Sequence, residues 1–403
     1  PDALRSALGG VFDLDLVGQS FGIIKLKGLP IDVGLPRRES KQGSGHRGFD
    51  IHSDPFLDLR AAAARRDFTI NAIYFDPLAN EVADPFDGIG DLQRRTLRHT
   101  SAAFSEDPLR VLRGMQLAAR FDLSAHPATV GLCRGIGMEG LAAERVFDEW
   151  RKLIERGERP SRGLDFLAQT TWLRFFPELD ALRGVPQDPH HHPEGDVWVH
   201  VGHAMDAFAA ERLDNPWEDL VVGLAVLCHD LGKASHTTQE ADGRVRSIGH
   251  GEASVELTRE FLERLTTQRR LVAAVLPLVR EHGRPSELYE ARASAAAVRR
   301  LADRVGRIDR LVRVARADMF GRPPRPADTY PAGDWLLERA ALLAVATERP
   351  RPLVQGRHLM ALGIDSGPRI GKILAACYDA QLAGKISTVE EGIAMARRLL
   401  DGS

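Results

Sequence analysis

The stretch of residues 65–72, with the sequence RRDFTINA, constrains the fold of this chain more than any other. From Phe68 onward, apolar residues alternate with Thr69 and Asn71, and this two-residue period predicts a β-strand. Two arginines and an aspartate open the stretch, at the mouth of the predicted strand. Cations grouped at a strand end suit a polyphosphate ligand, because guanidinium groups match phosphate oxygens in both charge and geometry.

Length and composition bound the class of protein. With 403 residues, 43% of them apolar, the chain is long enough for about two to four domains. No apolar run approaches the roughly eighteen residues of a membrane-spanning helix, so we expect no membrane partner. The three cysteines are widely spaced and odd in number, which argues against a disulfide framework. With no recognisable signal peptide, we predict a cytoplasmic protein.

The charge distribution restricts how nucleic acid can bind. A formal net charge of -2 excludes a uniformly basic nucleic-acid binder, so any RNA contact must be local. One basic patch lies between residues 25 and 47, and it is either such a contact or an ordinary solvated loop. Its six basic residues are Lys25, Lys27, Arg37, Arg38, Lys41 and Arg47.

Residues 1–36 are predicted to be β structure, because short apolar runs alternate with glycine. The runs Leu14–Gly18 and Phe21–Leu26 predict a hairpin. Asp32 lies in the next apolar run, where a carboxylate is costly unless it is paired or binds a metal; the alternative is an edge strand that turns Asp32 to water. The glycine-rich loop Lys41–Gly48 is predicted to be mobile and to cover a site.

A helix is predicted to begin at Ser105, with two acidic residues and Pro108 in its first turn. Asp107 and Arg110 are three residues apart and therefore neighbours on this helix. They either form an ordinary salt bridge or present a donor and acceptor pattern to the edge of a base. Arg113 lies one turn further on the same side and is expected to meet a phosphate.

Together these motifs resemble the class II tRNA nucleotidyltransferase and poly(A) polymerase family, and more closely the bacterial CCA-adding enzymes. The resemblance is carried by RRDFTINA, by DPFDG at residues 84–88 and by SEDPLRVLR at 105–113. Upstream, VGQSFG, IDVGLPRRE and GSGHRGF are similar to the same family's catalytic head. The resemblance implies a head that transfers nucleotidyl groups to the 3′ end of tRNA and a neck that selects CTP and then ATP. The expected partners are therefore tRNA, ATP and CTP.

The resemblance also implies a set of nucleotide contacts. They are Arg66, Asn71, Asp107, Arg110, Arg113 and Arg120. Asp107 and Arg110 match the family's base-reading pair. The residues expected to contact the triphosphate are Arg66 and Arg113. Many relatives carry an arginine where this chain has Gln116, and Arg120 is the residue predicted to compensate.

Phosphoryl transfer in such a head depends on carboxylates that hold two Mg²⁺ ions. Asp32 matches the family's third carboxylate and is the predicted catalytic metal ligand. The family's first two carboxylates, which lie on a DxD strand after a GGxVRD turn, have no counterpart in this sequence. Asp13 and Asp15 are poor substitutes because they follow Gly10 too closely to leave room for the intervening helix. We therefore expect the chain to lack an N-terminal fragment and its polymerase centre to be incomplete.

Residues 124–185 alternate helical patterns with turns, which completes a predicted all-helical neck over residues 99–185. The segment Gln187–Asp196 that follows is rich in histidine, proline and aspartate and is interpreted as a domain boundary, with Asp196 as a helix cap. Three consecutive histidines in this segment are able to chelate a metal adventitiously, but we expect them to form a solvent-facing turn.

A second constellation of functional residues follows the boundary. Histidines and carboxylates recur on successive predicted helices, and two of them are adjacent after an apolar run. The predicted metal ligands are His200, His229, Asp230, His250, His282 and Asp318. Imidazole and carboxylate together suit a first-row divalent ion such as Ni²⁺, Mn²⁺ or Co²⁺, and several helices can bring such ligands into one bundle interior.

This pattern resembles the HD phosphohydrolase superfamily. Its H…HD…D signature maps to four of the six residues, and His250 and His282 match additional ligands of two-metal members. The implied reaction is metal-assisted hydrolysis of a phosphomonoester or a 2′,3′-cyclic phosphate, with Lys233 as a catalytic group near the phosphate. His203 and His236 are not expected to be ligands.

The sequence therefore predicts an α+β protein with four parts: a small, incomplete nucleotidyltransferase β-sheet head (1–98), a helical neck (99–185), an HD helical bundle (186–325) and a helical tail (326–403) able to contact tRNA. The leading hypothesis is CCA addition combined with a metal phosphohydrolase. One alternative is a relative that adds only A, only CC or poly(A). Another is an HD hydrolase with a head that binds RNA without catalysis.

Overall fold

The computed structural model describes residues 2–15, 23–41, 49–324, 328–361, 363 and 367–401, with the backbone alone for 37–41, 49–53 and 401. The VGQSFG motif and the predicted mobile loop lie largely outside the described residues. The chain divides into two compact units. Unit 1 comprises Pro1–Leu153 and Arg162–Phe175, and unit 2 comprises Ile154–Ser161 and Phe176–Ser403.

Unit 1 begins with one helix and a three-stranded sheet. These elements are α1 (Asp2–Gly9), β1 (Leu14–Asp15), β2 (Ile23–Leu26) and β3 (Asp32–Gly34). Both β1 and β3 pair antiparallel with the central β2, so the strand pairing of the predicted hairpin is confirmed. The prediction of β structure throughout residues 1–36 is wrong for α1, where Leu4 and Leu8 are four residues apart and share a helix face.

The rest of unit 1 combines short strand pairs with helices. The further strands are β4 (Arg37–Lys41), β5 (Phe49–Ser53), β6 (Tyr74–Asp76), β7 (Glu81–Ala83), β8 (Thr96–Leu97) and β9 (Ser124–Ala125). Three two-stranded sheets result, β4 with β5 and β6 with β7 antiparallel, β8 with β9 parallel. The helices are α2 (Leu59–Ala63), α3 (Gly88–Gln93), α4 (Leu109–Phe121), α5 (Pro127–Arg134), and α6 (Ala143–Arg156) and α7 (Pro160–Gln169), which have residues in both units.

The strand predicted over RRDFTINA is wrong. Residues Thr69–Asn71 form a 3₁₀ turn, and the strand begins only at Tyr74. Phe68 is extended and makes an isolated bridge to His99, while the Thr69 amide donates to the carbonyl of Arg98 at 3.0 Å. These long-range bonds replace a sheet ladder, so the chain turns where the alternation predicts extension.

The helix predicted from Ser105 also begins later. Residues Ala102–Glu106 form a 3₁₀ helix capped by the hydroxyl of Ser101, and α4 starts at Leu109. The buried face of α4 approaches its neighbours closely at Gly114, where a Cβ atom would lie 2.5 Å from the Phe166 ring. Glycine is required there because the aromatic core leaves no room for a methyl group.

Unit 2 is built from helices, with one small antiparallel strand pair, β10 (Thr238–Gln239) and β11 (Val245–Arg246). The first helices are α8 (Pro177–Asp180), α9 (Val197–Ala210), α10 (Pro216–Cys228), α11 (Lys233–His236) and α12 (His250–Leu265). They continue with α13 (Arg269–Glu281), α14 (Arg284–Glu290), α15 (Ala295–Val305), α16 (Ile308–Phe320) and α17 (Pro331–Leu342). Helix α10 is apolar on all sides and buried from Asp219 to Cys228, and α9, α13 and α16 contact it. It is the central helix of the bundle.

The C-terminal part of unit 2 has a small core of its own. Its helices are α18 (Gly356–Met360), α19 (Pro368–Leu382) and α20 (Val389–Asp401). Between α19 and α20 the chain turns at Gly384, which has a φ of +73°. Within the described ranges no helix is both long and apolar enough to span a membrane. The α+β class with a helical body is confirmed.

Candidate metal centre and nucleotide-binding residues

Five helices of unit 2 bring the six predicted metal ligands together. His200 follows the N-terminus of α9, which the Asp196 side chain caps as predicted. His229 and Asp230 follow directly on α10, and His250 is the first residue of α12. His282 follows the C-terminus of α13, and Asp318 lies in the last turn of α16.

The first ligand cluster consists of His200, His229 and Asp318. The Nε2 atoms of the two histidines are 3.3 Å apart. The Asp318 Oδ1 atom lies 3.1 Å from His200 Nε2 and 4.0 Å from His229 Nε2. Two imidazole nitrogens and one carboxylate oxygen therefore face one point, and these atoms suit a divalent metal ion.

The second cluster consists of Asp230, His250 and His282. Asp230 Oδ1 is 3.4 Å from His250 Nε2 and 3.8 Å from His282 Nε2, and the two imidazole nitrogens are 3.4 Å apart. The other carboxylate oxygen, Oδ2, lies 3.2 Å from His229 Nε2 in the first cluster. Asp230 thus presents one oxygen to each cluster, which suits a carboxylate that bridges two ions.

The histidine tautomers are set by backbone carbonyls. The Nδ1–H groups of His229, His250 and His282 donate to the carbonyls of the residues three positions earlier, each at 2.7 Å. A carbonyl only accepts, so the proton stays on Nδ1 and the Nε2 lone pair points to the centre of the cluster. The Nε2 atom of each imidazole is therefore the one that would bind a cation.

The electrostatics of the centre also fit a divalent cation. Burial opposes ionisation of Asp230, yet His229 and Lys233 hold its pKa well below the ordinary value. Burial similarly opposes ionisation of Asp318, and the Arg322 guanidinium lowers its pKa well below the usual range. Burial lowers the pKa of His282 to about 4, which keeps that imidazole neutral. Both oxygens of Asp230 are buried and face imidazole nitrogens of the two clusters, and Oδ2 also lies next to the Lys233 ammonium.

Lys233, the predicted catalytic group, lies at the edge of the second cluster. Its ammonium is 2.8 Å from Asp230 Oδ2 and donates to the side-chain oxygen of Gln187 at 2.8 Å. Its side chain is 12% exposed, so the charge lies close to the centre but within reach of solvent. His203 and His236 belong to none of the ligand clusters found among the described residues.

The expectation of a solvent-facing turn is wrong for His192, whose side chain is only 11% exposed. His192 Nδ1 and His200 Nδ1 both lie within hydrogen-bond distance of Glu194 Oε1, at 2.9 and 2.8 Å. Burial opposes ionisation of Glu194, but these two histidines lower its pKa to about 2. Sequence reasoning missed His192 and Glu194, because a short polar segment with proline looks the same in a linker and in a buried site. The only available signal was a glutamate six residues before a predicted ligand.

In unit 1, Asp32 is exposed on β3, opposite Lys25 of β2, and Asp15 of β1 lies opposite the same lysine. The two carboxylates are thus two strands apart, about 9–10 Å, with a lysine between them. Asp32 belongs to none of the ligand clusters in the described part of the chain. The role of Asp32 as a metal ligand therefore stays a prediction.

The predicted base-reading residues, Arg110 and Asp107, are each held by hydrogen bonds. Arg110 donates to the carbonyls of Ala103 and Arg65, at 2.7 and 2.9 Å. Asp107 accepts from the amide of Leu109 at 3.0 Å and from Arg145 at 3.3 Å. The structure therefore fixes both side chains, and it adds Arg145 as a partner that the sequence did not indicate.

The predicted triphosphate contacts surround a buried aspartate. Asp67 is 7% exposed and accepts from Arg113 Nε at 2.6 Å and from Asn71 Nδ2 at 3.0 Å. We did not predict Asp67 as a site residue, although it lies inside the RRDFTINA motif. Arg66 is exposed, with its guanidinium 5.8 Å from the centre of the Tyr74 ring.

Gln116, which stands where many relatives carry an arginine, and Arg120, the residue predicted to compensate, lie further along α4. Gln116 is buried, and its Oε1 atom has no hydrogen-bond partner among the described residues. The Arg120 guanidinium lies over the ring of the next residue, Phe121, 5.2 Å from the ring centre. Compensation by Arg120 stays a prediction.

Two segments of the chain match known families. Residues 24–98 match the poly A polymerase head domain, and residues 205–315 match the HD domain. A multifunctional CCA protein of Xanthomonas campestris pv. campestris is 36% identical over 381 residues, which cover 91% of this chain and 88% of that protein. Another, from Methylobacillus flagellatus, is 37% identical and covers 83% of each chain.

Solved structures share the fold. A CCA-adding enzyme in an apo form has a TM-score of 0.55 at 19% identity, covering 99% of this chain and 84% of that one. The Thermotoga maritima CCA-adding enzyme in complex with tRNA has a TM-score of 0.54 at 20% identity, with the same coverage. At these identities the similarity supports the arrangement of the backbone.

Proposed function

Because this chain belongs to the family of multifunctional CCA proteins, we propose that it acts in CCA addition to tRNA in the cytoplasm, using CTP and ATP, and that unit 2 hydrolyses phosphate esters. The observation that carries the hydrolase proposal is the convergence of six histidine and aspartate side chains on two adjacent points, bridged by Asp230. The head-domain match at residues 24–98 and the resemblance of the RRDFTINA and EDPLR motifs support the transferase proposal.

In unit 2, His200, His229 and Asp318 would hold one divalent ion, and Asp230, His250 and His282 would hold a second. Ni²⁺, Mn²⁺ and Co²⁺ are the proposed ions, since mixed imidazole and carboxylate ligands suit them. When bound, such ions lower the pKa of a water molecule and neutralise phosphate charge.

The surrounding side chains orient the substrate and the ligands. Lys233 lies next to Asp230, where its ammonium can contact a non-bridging phosphate oxygen. Arg322 pairs with Asp318 and orients that carboxylate toward His200. The proposed substrates are phosphomonoesters and 2′,3′-cyclic phosphates of the kind found at RNA ends.

Hydrolysis of a 2′,3′-cyclic nucleotide tests the unit 2 proposal, with Mn²⁺, Ni²⁺ and Co²⁺ supplied one at a time. His229→Ala and Asp230→Ala are expected to abolish turnover. His203→Ala is the matched control, because His203 lies on α9 one turn from His200 and outside both clusters. Unchanged turnover in the first two variants would remove the hydrolase assignment.

In unit 1, Asp107 and Arg110 are proposed to read the base, while Arg66, Asn71 and Arg113 meet the triphosphate. The Arg110 guanidinium is fixed by two carbonyls, and this rigidity favours selective pairing with a base edge. The roles of Asp32 and Arg120, as a Mg²⁺ ligand and a further phosphate contact, are proposed on the resemblance.

Nucleotide selection tests unit 1. Arg110→Ala is expected to lower the preference for CTP and ATP over UTP and GTP by about tenfold, near the lower end of what paired base-edge hydrogen bonds contribute. Calorimetric binding measures this preference without requiring the two carboxylates that have no counterpart in the sequence. Arg151→Ala is the control, since Arg151 pairs with Asp148 on α6. Equal preference in wild type and Arg110→Ala would exclude Arg110 as a base reader.

Incorporation of CTP and then ATP into tRNA that lacks its 3′ CCA end, with Mg²⁺, tests the overall reaction. Supplying each nucleotide alone and sizing the products separates CCA addition from A-only, CC-only and poly(A) addition. Hydrolysis without incorporation would favour an HD hydrolase whose head binds RNA.

A further inference from the structure

The segment Gln187–Asp196, interpreted above as a domain boundary, contacts the metal centre at two places. Gln187 accepts a hydrogen bond from Lys233 through its side-chain oxygen, and its side-chain nitrogen donates to the carbonyl of Gly195 at 3.3 Å. Asp196 caps α9 and accepts from the amide of Gly184 at 2.7 Å. These bonds attach the segment at both ends, so Glu194 between them is held in a defined position.

Glu194 is deeply buried beside a ligand of the first cluster. Its side chain is 0% exposed, and its Oε1 atom lies 2.8 Å from His200 Nδ1. His192 donates to the same oxygen from the other side at 2.9 Å, and the two imidazole rings lie edge to face with centroids 4.8 Å apart. His192 and His200 are both within hydrogen-bond distance of Oε1, while the buried Oε2 atom has no hydrogen-bond partner among the described residues.

His200 differs from the other three histidine ligands in its outer partner. The Nδ1–H groups of His229, His250 and His282 donate to carbonyls of their own local turns. His200 Nδ1 lies near two acceptors from elsewhere in the chain, Glu194 Oε1 and the carbonyl of Gly321 at 3.2 Å. A carboxylate acceptor makes an imidazole a stronger electron donor than a carbonyl does.

We infer that Glu194 is a positioning residue, which orients His200 and strengthens it as a metal ligand by accepting its Nδ1 proton. The inference rests on the proposed metal centre of unit 2. With an ion bound, Glu194 and His200 would supply the carboxylate and the histidine of a carboxylate–histidine–metal triad, and His192 holds the carboxylate in place. The segment Gln187–Asp196, which lies inside unit 2, is therefore part of the proposed metal site.

The carbonyl of Gly321 limits how much metal affinity is lost when Glu194 is replaced. Gly321 lies so close to α9 that an added Cβ atom would be 2.7 Å from the Ala204 amide nitrogen, and this approach brings its carbonyl to His200. When Glu194 no longer accepts, the carbonyl of Gly321 still keeps the proton on Nδ1. The expected loss of metal affinity is therefore about tenfold, the lower end of the usual range for such partners.

The test is a calorimetric titration of the full chain with Mn²⁺ alone, comparing wild type with Glu194→Gln. Glu194→Asp is the second variant, because it keeps the charge but withdraws the carboxylate from His200, and it answers the question if the first variant does not fold. Glu178→Gln is the matched control, since Glu178 is also buried in unit 2 and accepts from Arg264 at 2.7 and 2.8 Å. Thermal unfolding without metal reports on folding.

Glu194→Gln is expected to weaken Mn²⁺ binding about tenfold, while Glu178→Gln lowers stability and leaves Mn²⁺ affinity unchanged. The Co²⁺ absorption spectrum of Glu194→Gln is expected to change as well, because His200 is one of the ligands. Mn²⁺ binding by folded Glu194→Gln and Glu194→Asp with the wild-type constant would overturn the inference and leave the metal centre intact. Absence of binding by wild type would instead overturn the metal centre, and the inference with it.

Discussion

Asp230→Asn removes one negative charge from between the two ligand clusters while keeping the size of the side chain. Asp230 is 1% exposed, and its two oxygens lie 2.8 Å from the Lys233 ammonium, 3.2 Å from His229 Nε2 and 3.4 Å from His250 Nε2. An asparagine presents one oxygen and one N–H₂ group in the same space, so it cannot bridge two cations.

The magnitude follows from two contributions. Without metal, removal of one partner of a buried ion pair costs about 3–5 kcal/mol; we expect about 2 kcal/mol here, because Lys233 keeps its bond to Gln187. With Mn²⁺ at a hundred times its dissociation constant, wild type gains about 2.7 kcal/mol from binding. For a unit of this size that gain raises Tm by about 5–11 °C. The variant is expected to gain less than wild type, because it loses a ligand of the second cluster while His200, His229 and Asp318 of the first cluster remain.

The assay is thermal and urea unfolding of both proteins, with and without Mn²⁺. Asp219→Asn is the control, because Asp219 is also buried on α10, accepts from the amides of Leu213 and Asn215, and pairs with Arg313 outside the ligand clusters. It is expected to lose stability but to keep the wild-type Mn²⁺ shift. An equal Mn²⁺ shift in Asp230→Asn and wild type would refute the assignment of Asp230 as a ligand.

Three further results are expected. Asp67→Asn should lower the free energy of unfolding of unit 1 at pH 7 by about 2 kcal/mol, since the charged hydrogen bond from Arg113 is partly screened at its exposed end. Burial opposes ionisation of Asp67, but Arg113 lowers its pKa below the ordinary 3.8. The stabilisation by Asp67 is therefore present above pH 3.8 and is lost as the pH falls through the lowered value. A constant difference in stability between wild type and variant down to pH 2 would contradict this expectation. Phe68→Ala should cost about 3–5 kcal/mol in urea unfolding, because the ring is fully buried edge-to-face against Phe104, with Phe68→Leu losing less. Chelation with EDTA should stop cyclic-phosphate hydrolysis, and one added divalent ion should restore it; turnover that persists in EDTA would exclude a metal-dependent reaction.

Local patterns were sufficient where the signal repeats along the chain. The apolar run before His229 predicts a buried helix that ends at the metal centre, and α10 is that helix. The glycine-separated apolar runs near the N-terminus predict a hairpin, and β1 pairs with β2. In each case burial of an apolar face selects the structure, and the spacing of apolar residues reports burial directly.

Local patterns failed where hydrogen bonds to distant residues decide the backbone. The alternation in RRDFTINA spans too few residues to distinguish a strand from a turn, and the bond from the Thr69 amide to Arg98 selects the turn. Helix α4 begins later than predicted for a similar reason. The Ser101 side chain caps the preceding 3₁₀ helix and donates to the carbonyl of Ala64.

The sequence alone determined the family, the α+β class and the residues to consider as metal ligands, because these depend on residue types at characteristic spacings. Only the tertiary structure decided how those ligands divide into two clusters, with Asp230 between them. It also decided that His192 and Glu194 lie against His200 and not in solvent. The physical reason is that a short polar segment has no periodicity of its own, so its burial depends on the helices that pack around it.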